Sequence, residues 1–255
     1  GGVMNAGAVA TRLGLAGVAA QAETAMVTRD LQLAGVTGAR LHIPHVSTIG
    51  SITALRSAKE RGLNVTAEVT PHHLTLTDEW VYGQHGEVPE SVGPESYDTN
   101  TKVNPPLRSR ADEEALIEAL AEGLIDVIAT DHAPHAATDK ICTYNEAAYG
   151  INVLETAFSS IFTLVDVDPK MLSLGRLIES LTAGPAAILG RDLGSLEKGY
   201  SADVTLIDPE MKWTVNPQAF ASKSVNTPLA GVELTGRVVI TIYQGTKVFD
   251  LRNHG

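Results

Sequence analysis

The sequence predicts an α/β chain, with parallel strands and crossover helices arranged as in a (β/α)8 TIM barrel, followed by a small β unit. Three observations carry this. Over the first two-thirds, short apolar runs alternate with segments of helical period. Three of those runs end in polar, histidine- or aspartate-bearing residues, as the C-terminal mouth of a barrel does. After about residue 190 the texture changes to alternating β-branched strands broken by turn residues. A doubly wound sheet would instead gather its chemistry at one switch point. The expected division is a barrel-type part over 1–190 and a β segment over 191–255.

Taken in order, "QAETAMVTRDLQLAG" (21–35) spaces Ala22, Met26 and Leu33 as a helix face, with Gly35 as its stop. "ARLHIPHVS" is extended, and a helix follows over about 49–61, ending at Gly62. "NVTAEVTPHH" is β-branched and strand-like. Ser109 caps a helix over 111–122, with Asp112 three residues on as a capping-box variant, and Gly123 closes it. "IDVIATDH" is the next strand, with helical stretches expected over 145–164, 173–182 and 185–189. "KGYSADVTLIDP" and "RVVITIYQGTKVFD" read as strands, Gly245 taking a hairpin position. The segment 82–101 has no periodicity and reads as a surface excursion.

Composition narrows the function classes. With 255 residues, 44% of them hydrophobic and 19% charged, the chain has room for one large domain and an appendage. No window approaches the roughly 18 apolar residues of a membrane span. A net charge of −11 argues against nucleic-acid binding, which needs a basic face, yet leaves room for a small anionic substrate in a locally positive cleft. The single cysteine, Cys142, excludes a disulfide framework and fits a reducing, cytoplasmic setting. The opening Gly1-Gly2-Val3-Met4 leads us to expect a processed chain or part of a longer one.

The chemistry gathers at the strand ends. His42 and His45 lie three apart on an extended run, so one at most should face the mouth. Taken alone, each is more readily a hydrogen-bonded structural histidine than a ligand. The same holds for His72 and His73, and Asp131 alone reads as readily as a helix cap. Jointly the pattern changes. Three strand ends offer His or Asp, and "KVNPPLR" adds Asn104 and Arg108 beside a rigid double proline. A zinc centre needs at least three protein ligands, and a carboxylate that can take and return a proton suits hydrolysis; Asp131 fits that dual role.

The blocks "LHIPHVST", "EVTPHHLTL", "KVNPPLR", "IATDHAPH" and "YGINVLET", in this order, resemble the bacterial type I dihydroorotases of the amidohydrolase superfamily. The closing "LEKGYSADVTLIDP" and "GTKVFD" are similar to that family's C-terminal β segment. The related hydantoinases, dihydropyrimidinases and allantoinases come second, because they usually differ around "TPHHL" and "NPPLR". The resemblance implies reversible, zinc-dependent cyclisation of N-carbamoyl-L-aspartate to L-dihydroorotate in pyrimidine biosynthesis, at a binuclear Zn2+ centre.

Residue by residue, the resemblance implies that His45 binds the second zinc. Asp131 binds the first and moves the proton. Asn104 and His135 meet the substrate, His135 at its carboxylate, and the Gly150 backbone meets the ring. His42, His72, His73 and His132 carry no ligand role in that pattern, His132 bracing the Asp131 loop. Glu68 stands behind the ligands, Lys140 is a surface charge, and 134–146 is expected to fold over substrate.

The family's H-x-H pair, its bridging strand-4 residue and its strand-5 histidine have no match here. The chain is therefore expected to be a C-terminal portion, inactive alone, whose last segment belongs to a composite β-sandwich. A homodimer and an association with aspartate transcarbamoylase are compatible with the resemblance, as is a non-catalytic partner role. No nucleic-acid or membrane partner is expected.

Overall fold

A computed structural model of the chain describes residues 1–253. A short parallel pair, β1 (Met4–Asn5) and β2 (Gly17–Val18), flanks α1 (Ala8–Leu13). Helix α2 (Ala20–Thr37) leads to β3 (Leu41–Ile43), α3 (Ile49–Glu60), β4 (Val65–Val69) and the short α4 (Pro71–Thr75). Helix α5 (Arg110–Ala121) precedes β5 (Val127–Ile128) and the short α6 (Ala137–Lys140). Strands β3, β4 and β5 form one parallel sheet in that order. No sheet among the described residues closes into a barrel.

Local chemistry explains the boundaries. The Thr48 hydroxyl accepts from Ser51 N and starts α3, and Ser109 does the same for α5 by accepting from Asp112 N. Along β4, Val65, Ala67 and Val69 are buried against the helices, whereas Thr66 and Glu68 on the other face are only half-buried. The buried face joins Val27, Leu31, Leu55, Leu116, Leu120, Ile161 and Leu177 in the main core. Each fully buried Leu or Ile contributes about 1.5–3 kcal/mol. The half-buried face is polar and lies toward the sheet's open side.

Helices α7 (Ala157–Val167), α8 (Leu174–Leu181) and α9 (Ala183–Leu189) lead to an antiparallel meander of β6 (Val204–Thr214), β7 (Glu233–Tyr243) and β8 (Thr246–Asp250). The β7–β8 turn has Gln244 at φ 48° and Gly245 at φ 77°, the paired positive angles that a tight two-residue hairpin requires. Helix α7 holds β7 closely: Ser159 Oγ donates to Gly236 O and Thr235 N donates to Thr163 Oγ1 (2.9 Å). No helix of the described residues is long and apolar enough to cross a membrane.

Three local expectations are corrected. Helix α2 runs past Gly35 to Thr37, and it buries Val27, Leu31 and Ala34 while Met26 and Leu33 stay exposed; its buried stripe is rotated from the one expected. The stretch 145–156 is not helical, because Asn152 N and Ala133 N pair it to distant segments, and the helix begins only at Ala157. Lys140 is buried rather than a surface charge, its amine donating to Thr99 O (3.1 Å), Lys102 O (3.4 Å) and Ala148 O (2.7 Å). The 82–101 excursion is tied down: Tyr97 OH donates to Leu13 O, Arg12 donates to Glu90 O, and His85 Nε2 donates to Ala230 O.

Candidate active site

The site builds from three strand ends. After β3 the N–H due to continue the ladder is that of His45, two residues on from Ile43, yet pairing resumes only at Val46, whose N–H donates to Glu68 O (2.9 Å). The two residues between form a bulge, and His45 lies in it with φ 35°. Strand alternation therefore does not set the direction of His45; the bulge does. The turn is anchored just beyond, where Glu23 accepts from Ser47 N (3.0 Å), Thr48 Oγ1 (3.1 Å) and Ser51 Oγ (2.8 Å), and also from Ser47 Oγ.

Burial alone would raise the Glu23 pKa, but those hydrogen bonds and the Arg108 guanidinium outweigh it and hold the carboxylate ionised. Arg108 is buried here rather than offered to the mouth. It donates to Ser47 Oγ (3.0 Å), Asn5 Oδ1 (3.1 Å), Val18 O (3.0 Å) and Glu23 Oε2 (3.4 Å).

After β5, Ala129 N donates to Val69 O, and the chain then turns outward at Asp131, φ 48°. Non-glycine residues in this left-handed region are uncommon and cluster at functional positions. Asp131 stands at the protein surface, yet the protein around its carboxyl still raises its pKa; His45 opposes that shift and Glu68 adds to it. His45, Asp131 and Glu68 therefore share one electrostatic neighbourhood at the mouth of the sheet. His42 bridges Thr66 Oγ1 (2.8 Å) and Glu68 Oε2 (2.9 Å) just below.

The other histidines have structural partners or none. His73 bonds Thr70 Oγ1 (2.7 Å) and Pro105 O (3.1 Å), and burial pushes its pKa down to about 4. His72 is buried with neither ring nitrogen partnered, and burial keeps it neutral too, with His73 and His45 adding to the shift. His132 Nδ1 accepts from Val153 N (3.1 Å) and Leu154 N (3.2 Å), so its ring ties the Asp131 loop to the approach to α7.

Asn104, His135 and Gly150 come from three further segments. Asn104 is exposed on a loop held on both sides: Pro105 O bonds His73, and Lys102 O accepts from Gly150 N (2.8 Å). His135 Nε2 donates to Tyr149 O (2.8 Å), while its Nδ1 lies 4.0 Å from Asp139. Gly150 has φ 147° and packs so closely that an added Cβ would lie 2.7 Å from His135 Nε2. The structure thus brings His45 together with Asp131, and His135 together with Gly150, with the Asn104 loop linked to Gly150 through Lys102 O.

Sequence reasoning missed two residues. Ser224 and Asn226, buried in the connection from β6 to β7, hydrogen-bond the His135 backbone. A local signal existed in the polar run "SKSVNT", but only long-range contacts bury it.

The donor set at the mouth, one imidazole and one carboxylate, suits a borderline cation such as zinc. Among the described residues no group of three His, Cys, Asp or Glu side chains is placed to hold a metal. His45 and Asp131 fit the role of two ligands and fall short of a complete site.

Comparison with known proteins gives the same direction. The dihydroorotase of Anaeromyxobacter dehalogenans is 50% identical over 249 residues, covering 98% of this chain and 54% of that protein. That of Caldanaerobacter subterraneus is 49% identical over 244 residues, covering 96% and 53%. The chain spans about half the length of the curated relatives it matches. Among solved structures, dihydropyrimidinase from Brevibacillus agri superposes with a TM-score of 0.80 at 22% identity, covering 91% of this chain and 49% of that one. L-Hydantoinase from Arthrobacter aurescens gives 0.77 at 30% identity, covering 89% and 49%. These neighbours share a TIM-barrel-type α/β fold, of which β3–β5 and their helices are a part. The amidohydrolase profile extends from residue 19 to residue 248, across both the parallel sheet that bears His45 and Asp131 and the antiparallel meander behind it, and the chain belongs to the amidohydrolase family.

Proposed function

We propose that these residues carry the C-terminal share of a dihydroorotase, which interconverts N-carbamoyl-L-aspartate and L-dihydroorotate. The observation that carries this reading is the pairing of His45 and Asp131 past the ends of β3 and β5, on either side of β4, both on left-handed backbone and within electrostatic reach. Identity near 50% to dihydroorotases, against 30% to an L-hydantoinase, favours the dihydroorotate ring over hydantoin or dihydrouracil. In this reading residues 1–190 are the barrel-type part and 191–255 the β segment of a composite sandwich.

The chemistry follows from the groups present. His45 and Asp131 would hold zinc, one ligand to each ion of a binuclear pair, with the other ligands supplied by protein outside these residues. Zinc, when bound, supplies a water acidic enough to attack at neutral pH. Asp131 takes the proton released in attack on the ring amide and returns it to the departing nitrogen. Its exposure at the mouth leaves the carboxylate open to substrate. His135 and Asn104 hold the substrate, His135 at its carboxylate, and the bare Gly150 backbone lets the ring lie close. In the arrangement seen, His135 Nε2 donates to Tyr149 O, and an incoming carboxylate takes that N–H in place of the carbonyl.

The test has two arms. The 255-residue chain and the full-length protein are assayed for bound zinc and for hydrolysis of dihydroorotate, hydantoin, dihydrouracil and allantoin. Zinc and dihydroorotate turnover in the full-length protein, absent in the shorter chain, are expected. Two zincs and normal turnover in the shorter chain would refute the shared-site reading; preference for another ring would refute the substrate.

A further inference from the structure

His135 and Gly150 stand on two segments that run side by side only briefly. Ala133 N donates to Ile151 O (3.0 Å), and His132 and Ile151 form a parallel bridge. The ladder then stops, because the His135 N–H, the next due to bond across, goes instead to Asn226 Oδ1 and Ser224 Oγ, and Val153 N goes to His132 Nδ1. Past that point no sheet bond locates His135 relative to Gly150.

A side chain some 90 residues away takes over. The Asn226 carboxamide is buried between the two segments. Its Nδ2 donates to Gly150 O (3.1 Å) and Ala133 O (3.2 Å), and its Oδ1 accepts from His135 N (3.1 Å). This pattern fixes the amide's orientation, since a flipped carboxamide would set an NH2 against the His135 N–H and an oxygen against two carbonyls. Ser224 reinforces it by donating to His135 O (2.9 Å). Asn152 holds the same loop from below, its side chain donating to Ser224 O and its N–H to Asn226 O.

We infer that Asn226 is a positioning residue that sets the spacing between His135 and Gly150, and so the grip on a cyclic amide bearing a carboxylate. The inference rests on the reading that these two residues meet substrate. None of the Asn226 side chain's hydrogen bonds goes to His45 or Asp131; its partners are backbone groups and Ser224 Oγ, so its loss should act on substrate binding and leave metal uptake intact.

The experiment compares Asn226→Asp, Asn226→Ala and Ser224→Ala in the full-length, zinc-loaded protein. Asn226→Asp keeps the acceptor for His135 N and loses both donors. KM is expected to rise by about tenfold or more for the Asn226 variants and less for Ser224→Ala, with kcat changed by under about threefold and zinc content unchanged. If Asn226→Ala fails to fold, the two milder variants decide. KM within about twofold of the parent in both, or a loss of kcat at unchanged KM, overturns the inference. Amide exchange at His135 gives a readout free of turnover: faster exchange in the Asn226 variants supports the role, and unchanged protection refutes it. The parent's substrate preference is read first. If it favours another ring, the dihydroorotase reading falls, and the same KM split on that ring still decides Asn226.

Discussion

Replacing Gly150 by Ala tests the tightest contact at the substrate side. The added Cβ would lie 2.5 Å from Ala133 Cβ, 2.7 Å from His135 Nε2 and 3.0 Å from Ala133 O. Carbon pairs prefer about 3.5–4.0 Å, so the methyl arrives about 1 Å too close to Ala133, which has no rotamer to yield. His135 can swing aside, but only by giving up its bond to Tyr149 O, a loss of about 1 kcal/mol. Overpacking of this kind costs about 1–3 kcal/mol. An alanine held at φ 147° adds roughly 1–3 kcal/mol of backbone strain. The sum, about 2–6 kcal/mol, corresponds to a fall in Tm of roughly 5–20 °C for a domain of this size. Thermal unfolding and steady-state kinetics on the same preparations check it. Because relief must move His135, KM should rise alongside the loss of Tm. An unchanged Tm with unchanged KM would show that His135 and Gly150 are not in contact as described.

Asp131→Asn in the full-length protein removes the group that both holds metal and carries the proton, and kcat should fall by several orders of magnitude with the fold retained; a small change in turnover would contradict the assignment. Arg108→Met strands the Glu23 carboxylate in the interior and should cost about 3–5 kcal/mol by chemical denaturation, part of it recovered in the double variant with Glu23→Gln. Glu113 has its pKa pushed up to about 7, by burial first, with Arg110 opposing and Glu114 and Glu79 adding. The native state therefore keeps a proton that the unfolded chain releases above its ordinary value of 4.5. Stability from this group falls as pH rises from about 4.5 to 7, and Glu113→Gln should flatten that slope in a pH series of unfolding curves.

What could be read from the sequence was what neighbouring residues decide. Ser109 caps a helix through a bond three residues on, and Gly245 makes a hairpin by its own backbone angle, so each was visible in a few letters. The strand ends were visible for the same reason, as apolar β-branched runs meeting polar side chains. The failures share the opposite cause. Residues 145–156 have no local objection to a helix, yet their backbone is claimed by Ala133 and Asn226, which offer partners a helix would forgo. Lys140 looks like any charged loop residue until three carbonyls from 99–102 and 148 converge on its amine.

His45 lies between these cases. Alternation placed it against His42, and alternation was the wrong rule, because an extra residue enters β3 before Val46 and the bulge re-aims the chain. The proline was in plain sight, directly before the residue that leaves the ladder. A polar residue directly after a proline at a strand end should be read as leaving the strand's two-residue period. Pro134 before His135 repeats the device at the other side of the site. Both residues expected to touch metal or substrate at these two turns thus directly follow a proline and are the very residues whose N–H leaves the ladder. Their aim has to come from side chains elsewhere: Glu23 and Arg108 for one, Asn226 and Ser224 for the other. In this chain the proline, visible in the sequence, marks where a site residue departs from the sheet, and the distant polar anchor, invisible there, determines where it points.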